Sequence, residues 1–214
     1  MLARPLVVIA VVVLAISIPA LAGVITNDPN LPPNVGAYVS PSDVHACYPV
    51  CANIDLNNIS HSFFTNIVRT PSFANEIETF DSIATGMVSI LGGAFQPITL
   101  AGPVLTVVFN KVGTVFGTFQ TEMLALNLVG GGGIMIRESP TLPSLGQTTI
   151  TSFGGGQFRI DSFFDIFTEL SVDGGQTWIP SNGPTRVELG IPEPGTRLLL
   201  GLGFALIFVR RKKF

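Results

Sequence analysis

Short runs of apolar or alternating residues, separated by Gly, Pro and Asn, fill the middle of the chain. In one run Leu124, Leu126 and Leu128 share one face, and Ala125 and Asn127 share the other. This two-residue period is typical of a β-strand. Rich in Val, Ile, Thr and Phe, which suit pleated sheets, the runs predict strands at 63–68, 77–90, 104–109, 112–119, 122–129, 134–137, 148–153, 157–170 and 185–189.

The segment 159–170 fits two periods. As a strand it places Asp161, Asp165 and Glu169 on one face together with Phe163 and Phe167. As a helix it separates the aromatic residues from the carboxylates, so periodicity alone does not decide. The aromatic content and the turn that follows favour a strand.

Many short strands at close spacing predict an all-β fold, an antiparallel β-sandwich of the Ig-like or jelly-roll-like kind. The sandwich is expected within residues 54–190. Residues 23–53 are rich in Pro, Asn and Ser and predict an irregular segment that leads into it. Two apolar terminal segments, at 1–22 and 191–214, are expected to form helices that flank the sandwich.

The N-terminal 22 residues have the three parts of a secretory signal. Arg4 gives a short positive region, an apolar run follows at 6–18, and Ala20 and Ala22 precede Gly23. We expect signal peptidase to cleave before Gly23. A permanent anchor is the alternative, but a bilayer requires about 20 apolar residues.

The C-terminus also has three parts in a fixed order. A short proline-containing motif is followed by an apolar run at 198–209, which would span about 18 Å as a helix. Because a hydrocarbon core is about 30 Å thick, this run predicts a poor permanent anchor. The motif is Pro192, Glu193 and Pro194, and the basic tail is Arg210, Arg211, Lys212 and Lys213.

This arrangement resembles the PEP-CTERM sorting signal of Gram-negative bacteria. In that family the membrane protease exosortase recognises the motif and removes the apolar tail. The protein is then released or transferred to the cell surface, often in bacteria that make exopolysaccharide. The resemblance implies exosortase as a processing enzyme, transient contact with the inner membrane, and exopolysaccharide as a partner. Gly195 separates the motif from Thr196, whereas the common form has Ser or Thr directly after it; an ordinary short tail anchor is the alternative.

The net charge becomes more negative once the two terminal segments are left out. Residues 23–190 hold five basic and 13 acidic residues, so their net charge is −8. Such a body lacks the basic surface that nucleic acid requires, and we expect no nucleic-acid partner.

The two cysteines lie four residues apart, at Cys47 and Cys51. In an exported protein a close pair favours a disulfide. His45 and His61 lie nearby, so a zinc site is the alternative. We predict no metal and no cofactor.

One internal motif is similar to the Asp-box of sialidases and other secreted β-proteins. In that family the box is a hairpin turn in which the Asp ties the loop and the Trp packs beneath it, and it has no catalytic role. The single copy here predicts a turn, with sugar stacking on the Trp as the alternative. Its residues are Ser171, Asp173, Gly175, Thr177 and Trp178.

The carboxylates of 159–170 raise the possibility of a glycosidase or a calcium site. Along a strand, Asp161 and Asp165 would lie about 13 Å apart, whereas paired glycosidase carboxylates lie about 5–9.5 Å apart. A solvated acidic face is therefore the favoured interpretation. We expect a structural, non-catalytic protein of the cell surface or extracellular matrix, with a polysaccharide- or calcium-binding module and a secreted hydrolase as alternatives.

Overall fold

The computed structural model describes residues 23–191, and most of these residues lie in strands. One short 3-10 turn, Gly131–Gly133, interrupts them. The strands are β1 (Val24–Thr26), β2 (Ala37–Val39), β3 (Ala46–Cys47), β4 (Ile54–Ser72), β5 (Asn75–Ile90), β6 (Gln96–Val108), β7 (Gly117–Gly130), β8 (Met135–Glu138), β9 (Ser144–Gly154), β10 (Gln157–Ile166), β11 (Thr168–Ser171), β12 (Ile179–Pro180) and β13 (Thr185–Gly190).

Eight antiparallel strands form a closed barrel. Their hydrogen-bonded order is β10, β13, β2, β4, β5, β6, β7 and β9, and β9 pairs again with β10. Ile150 of β9 shows the closure, because it lies opposite Ile160 on one side and Gly117 on the other. The all-β prediction is confirmed, but one closed sheet replaces the two packed sheets of the predicted sandwich. The two predicted terminal helices lie outside the described residues.

Bulges in the long β4–β5 hairpin help the sheet to curve. The register shifts three times between these strands, near Asn58, Phe63 and Asn66. Each of these residues has a positive φ, between 50° and 56°. A bulge bends its strand and increases the local twist, which is what a closing sheet requires.

The barrel has two ends, which we name by their loops. The lower end consists of 27–36, 73–74, 109–116 and 155–156, and the upper end consists of 40–53, 91–95, 131–143 and 167–184. The upper end carries the short strands β3, β8, β11 and β12. Among residues 23–191, no helix has the length and apolar character needed to cross a bilayer.

Several sequence predictions change in detail. The strand expected at 112–119 is largely a loop of the lower end, because β7 begins only at Gly117. The irregular segment 23–53 contributes three short strands, and one of them, β2, belongs to the barrel. Leu124 does not share the face of Leu126 and Leu128: it is exposed while they are buried, because a bulge opposite Leu105 and Thr106 shifts the register.

The segment 159–170 forms strands, as favoured. Ser162, Phe164 and Ile166 point into the barrel and are buried, while Asp161 and Asp165 lie on the outer face. The interior then divides in two. The half near the upper end, the apolar half, contains Leu56, Leu100, Leu126, Leu128, Ile136 and Ile166.

Candidate functional site

The loop that joins β11 to β12 is built around one carboxylate. Asp173 accepts hydrogen bonds from the Thr177 hydroxyl at 2.6 Å, the Ser171 hydroxyl at 2.7 Å, and the backbone N–H groups of Thr177 and Gln176 at 2.9 and 3.0 Å. The Ser171 hydroxyl also accepts from the N–H of Gly175. These bonds, led by that of the Thr177 hydroxyl, lower the pKa of Asp173 to about 2. The carboxylate therefore ties its own loop, as the resemblance to an Asp-box implies.

Trp178 lies half-buried at the end of this loop. The guanidinium of Arg137 lies over its ring, 4.1 Å from the centroid. Arg137 in turn donates two hydrogen bonds to Glu169 Oε2, at 2.8 and 2.6 Å, from a directly opposed position on β8. One face of the ring that sugar stacking would use is therefore covered by Arg137.

The remaining carboxylates of the predicted acidic face lie on the outside of the barrel, each beside an arginine. Asp161 pairs with Arg159 at 2.8 Å. Arg186 of β13 pairs with Asp165 at 3.2 Å and with Glu188 at 3.0 Å. The arrangement is thus a row of ion pairs in which each acid faces a base, and not two acids facing one another.

The cysteine and histidine residues near the start of the body do not form one site. Cys47 and Cys51 are joined by a disulfide. His45 Nδ1 contacts the Asp55 carboxylate at 2.8 Å on the surface, whereas His61 lies inside the barrel. Among the described residues, no group of three or more His, Cys, Asp or Glu side chains could hold a metal ion.

Polar side chains fill the lower half of the barrel interior. The Tyr38 hydroxyl donates to Ser162 Oγ at 2.9 Å, and Ser162 also contacts Thr148 Oγ1 at 2.7 Å. The His61 ring contacts the Ser82 hydroxyl. We call this group the lower cluster; it consists of Tyr38, His61, Glu78, Ser82, Thr106, Thr121, Thr148 and Ser162.

Glu78 is the carboxylate of the lower cluster. It is 3% exposed and accepts one hydrogen bond from Thr106 at 3.1 Å. Its other oxygen, Oε1, has no hydrogen-bond partner within residues 23–191. Burial raises the pKa of Glu78 to about 8; the negative charge of Glu76 adds to the rise, while the Thr106 hydrogen bond and the charge of Arg69 oppose it. Glu78 is therefore held as a neutral acid below this pH.

The pKa of His61 is shifted downward, in the opposite direction to that of Glu78. Burial lowers its pKa to about 4, so the ring is neutral near pH 7. Burial also raises the pKa of Tyr38, to which the nearby Glu78 contributes. The lower cluster thus contains three titratable groups that are all neutral at moderate pH, as their burial favours.

Two cavities lie inside the barrel. One of about 20 Å³ borders Glu78 and Thr121 in the lower cluster, which is room for about one water molecule. The other, of about 60 Å³, lies in the apolar half. Since ligand pockets usually measure about 300–1,000 Å³, neither cavity has room for a sugar chain.

Sequence reasoning missed the lower cluster, although one signal pointed to it. In β5, Glu78 alternates in step with Phe80, Ser82 and Ala84, and all four are buried. The inward position of Phe80 therefore places Glu78 inside as well. The pattern is hard to recognise in the sequence because the apolar residue next to Glu78, Ile77, lies on the outer face and is only partly buried.

The sorting residues lie at the edge of the structure. Gly23, which follows the predicted cleavage site, begins the described residues just before β1. Ala20, Ala22, the Pro192–Glu193–Pro194 motif and the basic tail lie outside them. The chain leaves the barrel at Ile191, directly after β13.

Comparison with known proteins bears on this C-terminus. The family model for the PEP-CTERM protein-sorting motif matches residues 190–213. No curated protein and no solved structure matches the chain. The match begins where β13 ends, so the barrel and the matched segment follow one another almost without overlap. The chain therefore carries a C-terminal PEP-CTERM protein-sorting motif, which indicates an exported protein that exosortase processes at the membrane.

Proposed function

We propose that the barrel is the cargo of this sorting signal, a structural and non-catalytic protein of the cell surface or extracellular matrix. The observation that carries the proposal is the junction at residues 190–191, where the last barrel strand ends and the sorting motif begins. Signal peptidase would remove residues 1–22, and exosortase would remove the apolar tail. The inner membrane would hold the chain only between these two cleavages.

The charged surface supports a role without catalysis. Acid catalysts in glycosidases work as a facing pair, whereas Asp161, Asp165 and Glu169 are each beside an arginine. The buried carboxyl group and the buried imidazole whose pKa values are shifted, Glu78 and His61, border cavities of at most about 60 Å³. A polysaccharide could reach the outside of the barrel, where an acidic surface would favour neutral or cationic polymers.

Mass spectrometry of the exported protein tests whether both terminal segments are removed. We expect a mature chain that begins at Gly23 and lacks residues 198–214. Glu193→Ala should leave the tail in place, whereas Asp43→Ala, which removes an exposed acid from the body, should be processed normally. A mature protein that ends at Phe214 in the parent chain would contradict the proposal.

The proposal that the protein is not an enzyme has a separate test. The purified protein is incubated with a panel of extracellular polysaccharides and chromogenic glycosides, in parallel with Asp165→Asn and Glu78→Gln. We expect no turnover in any sample. Turnover that disappears in either variant would establish a hydrolase in place of a structural protein.

A further inference from the structure

The two ends of the barrel differ in their charge. The lower-end loops contain two charged residues, Asp28 and Lys111, and Lys111 is buried, with its ammonium donating to the Thr114 carbonyl. The upper-end segments contain five: Asp43 and Asp173 lie in loops, and Arg137, Glu138 and Glu169 lie on the short strands β8 and β11. The loops of the lower end themselves thus carry one charge that is not buried, that of Asp28, and a small number of charges lowers the cost of transfer out of water.

Exposed apolar side chains occur at both ends of the barrel, and the most exposed of them among residues 23–191 lies at the lower end. Phe73 stands at the tip of the β4–β5 hairpin and is 101% exposed. Val115 and Phe116 on the neighbouring 109–116 loop, and Phe153 at the end of β9, are exposed as well. Isolated exposed apolar residues are ordinary, but a contiguous group marks an interaction surface.

Contacts between the loops make the group contiguous. The N–H of Val112 donates to the carbonyl of Ala74, which ties the 109–116 loop to the hairpin tip. The rings of Phe116 and Phe158 lie 5.7 Å apart, which ties the same loop to the start of β10. We name this surface, formed by Ile25, Phe73, Val112, Val115, Phe116 and Phe153, the lower apolar rim.

The course of the chain indicates what the rim faces. β13 runs from the upper end towards the lower end and stops at Gly190, opposite Ala37. Exposed Ile191 follows, and seven residues further on, at Leu198, the apolar run begins. Even fully extended, this connection spans about 25 Å at most.

Such a tether allows the lower end of the barrel to face the membrane. β7 alone crosses the barrel with 14 residues, which is about 35 Å along the axis for a strand tilted by roughly 40°. With the apolar run in the bilayer, the lower end can reach the membrane surface while the upper end stands a barrel length away. The acidic residues of the upper end then point into water.

We infer that the lower apolar rim rests on the surface of the bilayer that holds the C-terminal tail, with Phe73 inserted among the lipid headgroups. The inference rests on the proposed function, because it requires the tail to hold the chain in the membrane before exosortase acts. Aromatic side chains favour this interfacial depth. The rim would keep residues 192–194 close to the membrane, where a membrane protease can reach them.

Tryptophan fluorescence tests the orientation. The full chain is reconstituted in phosphatidylcholine vesicles with or without bromine on the acyl chains, as Phe73→Trp and as Phe95→Trp. Phe95 is also exposed but lies on an upper-end loop, so it is the matched control. The parent chain supplies the background from its single tryptophan, Trp178, also at the upper end.

We expect the emission added at position 73 to fall by about half in brominated vesicles, and the emission added at position 95 to remain unchanged. Vesicle flotation, measured in parallel, reports whether the tail holds the chain. Flotation without quenching at position 73, or equal quenching at both positions, overturns the inference alone. A blue-shifted but unquenched signal at position 73 also overturns it, in favour of a second copy of the chain. Failure to float overturns both the tether and the orientation.

Discussion

The two halves of the barrel interior are filled on different principles, although the same strands cross both. β7 supplies Leu126 and Leu128 to the apolar half, and Thr121 to the lower cluster. The apolar half is stabilised by removal of hydrocarbon from water. The lower cluster is stabilised only as far as its polar atoms find partners, and Glu78 Oε1 and Thr121 Oγ1 find none among residues 23–191.

Because of this difference, the contribution of the apolar half to stability does not depend on pH, whereas that of the lower cluster does. Burial of leucine and isoleucine is insensitive to pH, so the apolar half contributes about equally under all conditions in which the chain folds. The lower cluster contains Glu78 and His61, whose buried neutral forms depend on pH in opposite directions. Changes at equivalent depths of the two halves should therefore produce different kinds of effect.

The largest effect is expected from a matched pair of substitutions on β7. Leu128→Ala should lower the free energy of unfolding by about 3 kcal/mol, because it enlarges the cavity of the apolar half. Thr121→Val keeps the side-chain shape and removes a hydroxyl without a protein partner, so it should leave stability unchanged or slightly higher.

Equilibrium denaturation in urea at constant pH measures both variants against the parent. An equal loss in the two variants would contradict the comparison. It would show that the Thr121 hydroxyl makes a bond, through a water in the lower cavity, that is worth as much as a buried leucine side chain.

The second effect is a change of stability with pH. The pKa of Glu78 is raised from 4.5 to about 8 in the fold, so its contribution is complete below pH 4.5 and is lost as the pH rises towards 8. The pKa of His61 is lowered from 6.5 to about 4, so its contribution is complete above pH 6.5 and is lost as the pH falls towards 4. Between pH 4.5 and 6.5 the two slopes oppose each other, which predicts a plateau.

Above pH 6.5, Glu78 is the one of these two groups whose protonation still changes the stability. From pH 6.5 to 8 the free energy of unfolding should fall by about 2 kcal/mol, since one unit corresponds to about 1.4 kcal/mol. Glu78→Gln should remove this fall and uncover the His61 slope between pH 6.5 and 4.5. Urea denaturation across the pH range provides the measurement, with Glu122→Gln as the control on a partly buried carboxylate outside the cluster.

A parent chain with constant stability from pH 6.5 to 8 would show that Glu78 is not held neutral in the fold. The other charged groups near Glu78 are Glu76 and Arg69. An unchanged pH profile in Glu78→Gln would show that the slope arises from a group other than Glu78.

The sequence predicted strands well because their alternation is local. The inward face of 157–166 follows directly from the spacing of Ser162, Phe164 and Ile166. Closure of the sheet is not local: it depends on β9 pairing with both β7 and β10, and antiparallel strands of a sandwich and of a barrel share the same alternation. A bulge can also reverse a side chain, as at Leu124, without any change in the residue pattern.

The loop and the lower cluster differ in the same way. The Asp-box-like turn was predictable because its hydrogen bonds join residues within five positions of one another. Tyr38 and Ser162 are 124 positions apart, and no spacing in the sequence brings them together. Long-range polar contacts inside a barrel therefore stay invisible until the register of the strands is known.

The smallest effect concerns this loop, whose carboxylate is exposed while Glu78 is enclosed. Asp173→Ala removes four hydrogen bonds within the loop, so the backbone N–H groups of Gln176 and Thr177 should exchange with solvent at least about tenfold faster. The barrel should keep its melting temperature, because all four bonds join residues of one loop at the upper end. Asp43→Ala, on another upper-end loop, should change neither quantity.

The pKa of Asp173 is lowered from 3.8 to about 2, so its contribution is complete above pH 3.8 and is lost as the pH falls towards 2. Exchange at Thr177 in the parent chain, corrected for its intrinsic pH dependence, should therefore approach that of Asp173→Ala only in this acid range. If Asp173→Ala instead lowers the melting temperature of the whole barrel, the loop is part of the cooperative core. The contrast between an interior that sets stability and a surface turn that sets only local order would then fail.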